Sequence, residues 1–245
     1  MTPIATDVAL VIPTLDEATT LPRLSRVLAA LDPPCAEVIV VDGGSADGTA
    51  ALARDLGLRV VEHRCGRAAQ INRGVAEAAS PLVCVLHADT LPPDDIVAVI
   101  RRTLADPRVA LAGFTPLLSG PDKVRWATSF HNWIKTWYAP LFFRPHLFMR
   151  GVRLLFGDHA MFFRRDQFLA LGGCDEGAAV LEEADLCIKL ARFGRVRLVN
   201  RVVLTSDRRV AVWGEWRANW IYLQVGVRWA LGFKKRLGDR YPHVR

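Results

Sequence analysis

The five cysteines of this 245-residue chain, Cys35, Cys65, Cys84, Cys174 and Cys187, are odd in number and include no C-x-x-C pair. That argues against a disulfide framework or a cysteine zinc site and for reduced thiols in a cytosolic compartment. No G-x-G-x-x-G follows a strand-like run and no G-x-x-x-x-G-K-[ST] occurs, so the dinucleotide fingerprint and the P-loop are both missing. No uninterrupted apolar run approaches the roughly 20 residues that span a bilayer. The opening MTPIATDVALVIP has no basic n-region and includes Asp7, so it is not expected to be a signal peptide. Internal repeats and low-complexity tracts are lacking too.

What is present is a globular composition, 51% hydrophobic and 23% charged, in a length that suits one α/β domain or two small ones. The net charge of +7 is uneven: residues 192–245 carry 13 basic and 3 acidic residues, a net of +10, which leaves −3 on residues 1–191. A basic segment of this kind suits nucleic acid, an anionic membrane surface or a phosphorylated substrate.

Short apolar runs alternate with helical patterns. Strands are expected at Val8–Ile12 (stopped by Pro13), Glu37–Val41, Leu58–Glu62, Leu82–Thr90 and Val109–Phe114. Helices are expected after Thr20, over Ala50–Leu56, from Gly66 to Ala79 and over about Asp94–Ala105. This spacing predicts βαβ crossovers and a parallel sheet. Three strands end in polar clusters, Thr14–Glu17, Asp42–Ser45 and His87–Thr90, which a parallel sheet brings to one edge, where ligands bind. Gly43 and Gly44 let backbone approach a ligand. Asp89 has two readings, a metal carboxylate and a cap for the helix near Pro92.

After Gly113 an aromatic stripe recurs at helical spacing (Trp126, Phe130, Trp133, Ile134, Trp137, Tyr138). Burial in the core is the first expectation for it, and a membrane-surface face the second. A loop at Gly157-Asp158, a strand over His159–Phe163, a helix over Arg165–Leu171, a helix from Leu181 to Arg192 and small strands at Val196–Val199 and Val202–Leu204 follow. A last helix, about Val212–Leu231, sets Trp213, Trp216, Trp220, Leu223 and Val227 along one stripe, with Lys234-Lys235-Arg236 beyond it. Either that stripe closes the core, or it lies on an anionic membrane surface without spanning it.

The order of motifs resembles the family-2 glycosyltransferases of the GT-A fold. Pro13-Thr14-Leu15-Asp16-Glu17 resembles the family's P-x-x-N-E, and Val40–Thr49 its V-V-D-D-G-S-x-D-G-T. Gly66–Gly74 resembles G-K/R-x-x-A-x-N-x-G, and His87-Ala88-Asp89 occupies the D-x-D position. Phe163–Gly173 resembles R-R-x-x-F-x-x-x-G-G-F, and Leu181-Glu182-Glu183 the E-D that opens the acceptor-side helix. His87 departs from the first Asp of D-x-D, Glu183 from the usual Asp, and Cys174 from the usual aromatic. The HADT form resembles a bacterial branch of the family.

The resemblance implies an α/β fold of GT-A type, Rossmann-like, with a mostly parallel central sheet flanked by helices and a C-terminal amphipathic segment. It implies a single domain over 1–245, with a nucleotide-sugar half (1–113), an acceptor half (114–209) and a basic amphipathic segment (210–245). The implied donor is a nucleotide-diphosphate sugar, met by Pro13, Glu17 (ribose), Asp42 (nucleobase), Gly43, Arg67, Asn72, His87 and Ala88. Asp89 is the implied ligand of Mg²⁺ or Mn²⁺, whose charge offsets that of the leaving diphosphate. Glu183 is the implied base of an inverting displacement. Asp158, Glu182, Arg208 and Arg209 fall on the acceptor or phosphate side. Each has a plainer reading: Glu182-Glu183 as acids at a helix N-terminus, Arg67, Arg208 and Arg209 as surface cations. The implied acceptor is a small or lipid-like molecule, with no nucleic acid partner; peripheral contact with the inner face of an anionic membrane is the expectation that the C-terminal stripe and its basic residues raise. A nucleotidyltransferase is disfavoured because Pro13–Glu17 holds no glycine. A degenerate nucleotide-sugar-binding or membrane scaffold protein remains the alternative, supported by His87.

Overall fold

A computed structural model describes residues 7–121, 123–177 and 181–231. The chain runs β1 (Val8–Thr14), α1 (Leu21–Ala29), β2 (Glu37–Asp42), α2 (Thr49–Asp55), β3 (Arg59–Glu62), α3 (Arg67–Glu77), β4 (Leu82–Val85), β5 (Thr90–Leu91) and α4 (Ile96–Leu104). It continues β6 (Val109–Ser119), α5 (Trp126–Phe143), α6 (Pro145–Met149), a 3-10 turn (Gly157–His159), β7 (Phe162–Arg164), α7 (Arg165–Ala170), α8 (Glu182–Leu190), β8 (Arg195–Ser206), α9 (Arg208–Trp213) and α10 (Glu215–Ala230).

The described strands form one eight-stranded sheet in the order β3-β2-β1-β4-β7-β6-β8-β5. β3, β2, β1 and β4 are parallel neighbours, so the loops after β1, β2 and β4 leave from one end. β7 and β5 run against the rest. Helices cover both faces. Val11, Val41, Ile71, Val75, Phe163 and Leu186 share the core on one side, and Leu10, Ile12, Leu24, Ile96, Ile100 and Phe114 the core on the other. Helix α3 lies so close to the sheet that a Cβ on Gly74 would come within 2.3 Å of Val11 Cγ1 and 2.9 Å of Val41 Cγ2. Only glycine permits that approach, and it fixes where the N-terminus of α3 meets the strand ends.

Several expected boundaries move. Pro13 does not stop β1. Pairing with β4 ends at Val11↔Val85, while pairing with β2 continues through Pro13↔Val41 to Thr14↔Asp42, so the proline sits where β1 has one partner rather than two. The strand expected over Leu82–Thr90 ends at Val85. Burial of Leu86 and Ala88 continues past the ladder, which is why the apolar run reads as one strand. The chain turns at His87, and Thr90–Leu91 pairs with β8 at the far edge of the sheet. The short strands at 196–199 and 202–204 are one irregular strand, β8, which pairs along β6 with two register shifts. β6 itself runs five residues beyond Phe114. The strand expected over His159–Phe163 is the 3-10 turn followed by β7.

The last helix divides at Gly214 (φ 80°) into α9 and α10. The stripe expected either to close the core or to lie on a membrane surface divides: Trp216 and Trp220 are 91% and 59% exposed, Trp213 and Val227 are half-buried, and the buried residues of α10 are Ala218, Val225, Trp229 and Ala230. Lys234-Lys235-Arg236 lies outside the described residues. No described helix is long and apolar enough to cross a membrane.

Candidate active site

The first two loops are laced to each other. Asp42, buried at the end of β2, accepts N–H bonds from Gly44 and Ser45 (both 2.9 Å) at one oxygen and hydroxyl bonds from Ser45 and Thr14 at the other. The Ser45 hydroxyl and Asp47 in turn accept the N–H groups of Asp16 and Ala18, and Asp16 accepts that of Ala46. Gln70, one turn into α3, donates to Thr14 O and Val41 O, both at 2.7 Å, and ties the two strand ends together. Gly43 lies under this amide, with room for a Cβ only 3.0 Å from Gln70 Nε2. The carboxylate of Asp42 is therefore engaged by its own turn.

Asp89 and Glu17 meet across the sheet end, under one cation. Arg208 Nη2 donates to Glu17 Oε1 at 2.8 Å and to Asp89 Oδ2 at 3.1 Å. Ser206 N–H bonds Asp89 O, so the end of β8 holds the backbone of Asp89 as well. Thr20 donates to the second oxygen of Glu17 at 2.9 Å. Asp89 does not cap the helix after Pro92, since α4 begins at Ile96 behind Asp95 with no side-chain cap. Nor is Arg208 a loose surface cation. Its guanidinium marks a spot where two carboxylates stabilise positive charge, which fits a hard divalent ion. Among the described residues no group of three or more His, Cys, Asp or Glu forms a self-sufficient metal cage. The donor set therefore suits an ion whose remaining ligands are phosphate oxygens and water, as is usual for Mg²⁺.

Glu182 and Glu183 open α8, and both are buried. Glu183 Oε1 lies 3.8 Å from His87 Nε2, too far for a hydrogen bond, and neither buried atom has a hydrogen-bond partner. Burial alone would push the Glu183 carboxyl up, but His87 and the charge of Arg67 outweigh it and hold the group below the ordinary glutamate value. Burial and the charge of Glu183 push Glu182 the other way, up to about 7, with Arg67 and Arg209 opposing. Two adjacent carboxyls are thus driven apart in proton affinity, and the one left ionised is the one with an open oxygen. Gly157 forms the wall beside them: a Cβ there would stand 2.6 Å from Glu183 Oε1 and 2.7 Å from His87 Cε1.

Asp158 follows in the 3-10 turn. It accepts from Asn132 of α5 at 3.0 Å and sits 3.3 Å from His159 Nδ1. Burial raises its carboxyl, but His159 and the Lys135 ammonium pull it well below the usual carboxylate range. Burial lowers Lys135 to about 8, with Asp158 opposing, and its ammonium stands 3.9 Å over the Phe156 ring. Sequence reasoning missed Asn132 and Lys135. They sit on the polar side of an aromatic helix, and nothing in their spacing points 26 residues ahead to Asp158.

Asn72 is spent elsewhere. Its amide donates to Cys174 O and Glu176 and accepts from Cys174 N–H, pinning the turn after α7. Ala88 is buried in the core, and Pro13 lies within β1. Arg67 and Arg209 both act by charge on Glu182. Among the described residues the non-glycine positions with positive φ are Asp16 (56°), Ala160 (42°) and Leu181 (63°), beside Glu17, the Gly157–His159 turn and Glu182.

This chain is 32% identical to the succinoglycan biosynthesis protein ExoA of Rhizobium meliloti over 78% of its own length and 59% of that protein. It is 44% identical to ExoU of the same organism over 34% of its length and 26% of that protein. It thus spans less than two thirds of either relative. Among solved structures it resembles the mannosyltransferase PcManGT of Pyrobaculum calidifontis in complex with GDP-Man and Mn²⁺ (TM-score 0.70, 22% identity, 96% of this chain and 69% of that one). It also resembles glucosyl-3-phosphoglycerate synthase of Mycobacterium tuberculosis, solved with Mn²⁺, UDP and glucosyl-3-phosphoglycerate (TM-score 0.64, 19% identity, 93% and 81%). At these identities the two structures attest the shared GT-A fold. The profile described as glycosyl transferase family 2 matches residues 9–171, about two thirds of the sequence, and the chain belongs to that family.

Proposed function

We propose that this protein transfers a sugar from a nucleotide-diphosphate sugar to an acceptor hydroxyl by metal-assisted inverting displacement. The observation that carries the reading is Glu183: a buried carboxylate with an unpartnered oxygen, on a chain whose Asp89 and Glu17 together hold the Arg208 guanidinium. Glu183 takes the acceptor proton, the freed oxygen attacks the anomeric carbon, and the bond to the diphosphate breaks. Asp89 would hold Mg²⁺ or Mn²⁺, which when bound offsets the charge developing on the leaving diphosphate. Arg208 serves the diphosphate once it leaves the carboxylates, and Arg67 and Arg209 keep the phosphate side positive. Glu17 serves the ribose. Asp42 serves the nucleobase after the Ser45 hydroxyl yields its bond. Asp158, held by Asn132, lies on the acceptor side.

The acceptor is a small or lipid-like molecule, and the basic C-terminal segment 210–245 brings the protein to an anionic membrane, at its inner face. His87 gives no support to a degenerate scaffold in this arrangement, because its ring stands beside the base. Thermal stabilisation by a panel of nucleotide-sugars, with and without Mn²⁺, tests donor binding, and release of the nucleoside diphosphate tests turnover. Metal-dependent stabilisation with turnover is expected. Binding that ignores the metal, or binding with no turnover on any acceptor offered, would overturn the reading.

A further inference from the structure

We infer that the outward face of α5 and α10 docks on the headgroup–acyl boundary of an anionic bilayer. This deepens the membrane contact proposed above, and it moves that contact from the C-terminal basic residues to a folded surface.

Helix α5 is turned inside out. Its buried side is small and polar (Thr128, Ser129, Asn132, Thr136), whereas Trp126, Phe130, Trp133 and Trp137 recur at i, i+4, i+7 and i+11 on the solvent side, Trp126 at 70% exposure. Helix α10 packs against α5 through Asn219, which bonds His131 at 3.0 Å and Thr128 at 3.3 Å. It presents Trp216 and Trp220 outward in the same way. All seven tryptophans of the chain lie between residues 126 and 229, on α5, α9 and α10, and none in the nucleotide half. On α5 the rings run together, Phe130 stacking on Trp133 at 5.9 Å and Trp133 meeting Trp137 at 6.2 Å, and large exposed apolar groups collected in this way mark interaction surfaces.

The occupant follows from chemistry. The stretch Lys123–Gly157 holds six Lys and Arg and no Asp or Glu. Lys123, Arg150 and Arg217 are exposed, Arg217 next in sequence to Trp216, and the Arg153 guanidinium lies 4.3 Å over the Trp137 ring. Tryptophan rings with a cationic rim suit the interface of an anionic membrane, and a protein partner with an acidic rim would have to supply both features at once. With no described helix able to span, the contact lies in the plane of the membrane. Asn132, on the inward side of the same helix, holds Asp158, so α5 connects the docked face to the acceptor side of the site without the face itself touching it.

The test is co-sedimentation of the full chain with phosphatidylglycerol–phosphatidylcholine vesicles against pure phosphatidylcholine, together with the emission maximum of the tryptophans. Binding should need the anionic lipid, weaken in high salt and shift emission to the blue. Trp126→Glu and Trp216→Glu replace exposed side chains, so the fold should survive, and each should cost about tenfold in partitioning. Unchanged partitioning in both variants, with binding lost only on deletion of 232–245, would overturn this face and leave the C-terminal contact standing. No binding to either vesicle would overturn both, and a concentration-dependent dimer abolished by Trp216→Glu would assign the face to a second copy instead. Donor stabilisation in vesicle-free solution is read separately, so a failure here is distinct from a failure of the transferase reading.

Discussion

In α1 the leucines at 21, 24 and 28 face the sheet and Arg23 and Arg26 face solvent, whereas in α5 threonines, a serine and an asparagine face the sheet and the tryptophans face solvent. Both helices are amphipathic, and they are turned in opposite senses. The nucleotide half draws its stability from apolar burial on both faces of β1, β2 and β4. Residues 114–209 use a helix differently: the inward polar side of α5 reaches Asp158, and its aromatic side is exposed.

The comparison is sharpest at the site, where the acceptor half is expected to supply the chemistry and the nucleotide half the binding. Glu183→Gln keeps shape and cannot take a proton, so transfer should fall by about 10²–10⁴-fold with donor affinity retained. A dead Glu182→Gln beside an active Glu183→Gln would reverse the assignment of the pair. In the other half, Asp89→Asn should remove the metal-dependent part of nucleotide binding, measured by titration calorimetry with and without Mn²⁺, and leave the melting temperature near that of the parent.

A second contrast is in packing. Gly74→Ala drives a methyl into Val11 and Val41 and should cost about 1–3 kcal/mol by denaturant unfolding. Trp126→Ser on the exposed face of α5 should stay within about 0.5 kcal/mol. Equal losses would mean that α5 packs by its aromatic side after all.

Between these lies a pH effect. Glu182 binds its proton more tightly folded than unfolded, so the native state holds the extra proton and stability falls as pH rises from the ordinary glutamate range to about 7. Glu182→Gln should flatten that slope. Glu183 acts in the opposite sense at lower pH, where its depressed carboxyl loses its contribution as pH falls.

Much of the nucleotide half was legible because its strands are apolar runs with turn residues at both ends, and its motifs are local. The break at Val85 was not, since Leu86 and Ala88 are buried without being strand and periodicity reports burial alone. The sense of α5 was hidden for a related reason. An aromatic stripe has the same spacing whether it faces in or out, and only the neighbours of Thr128 and Asn132 decide. The candidate carboxylates were visible as residue types at the ends of strands. Their assembly was not: Arg208 reaches Asp89 across 119 residues of sequence, and the Gly157 wall becomes meaningful only once Glu183 and His87 stand against it.

The guanidinium of Arg208 pairs with Glu17 and with Asp89, the carboxylate proposed to hold the divalent ion. Ion and guanidinium are then competitors, and each weakens the other's hold by an equal factor. A diphosphate changes the balance, because it offers Arg208 a second anion to pair with and frees Asp89 and Glu17. Metal alone should therefore bind feebly, nucleotide alone should bind feebly, and the two together should bind with positive cooperativity. Donor and ion should then be taken up together rather than singly, which titration of each with and without the other would show.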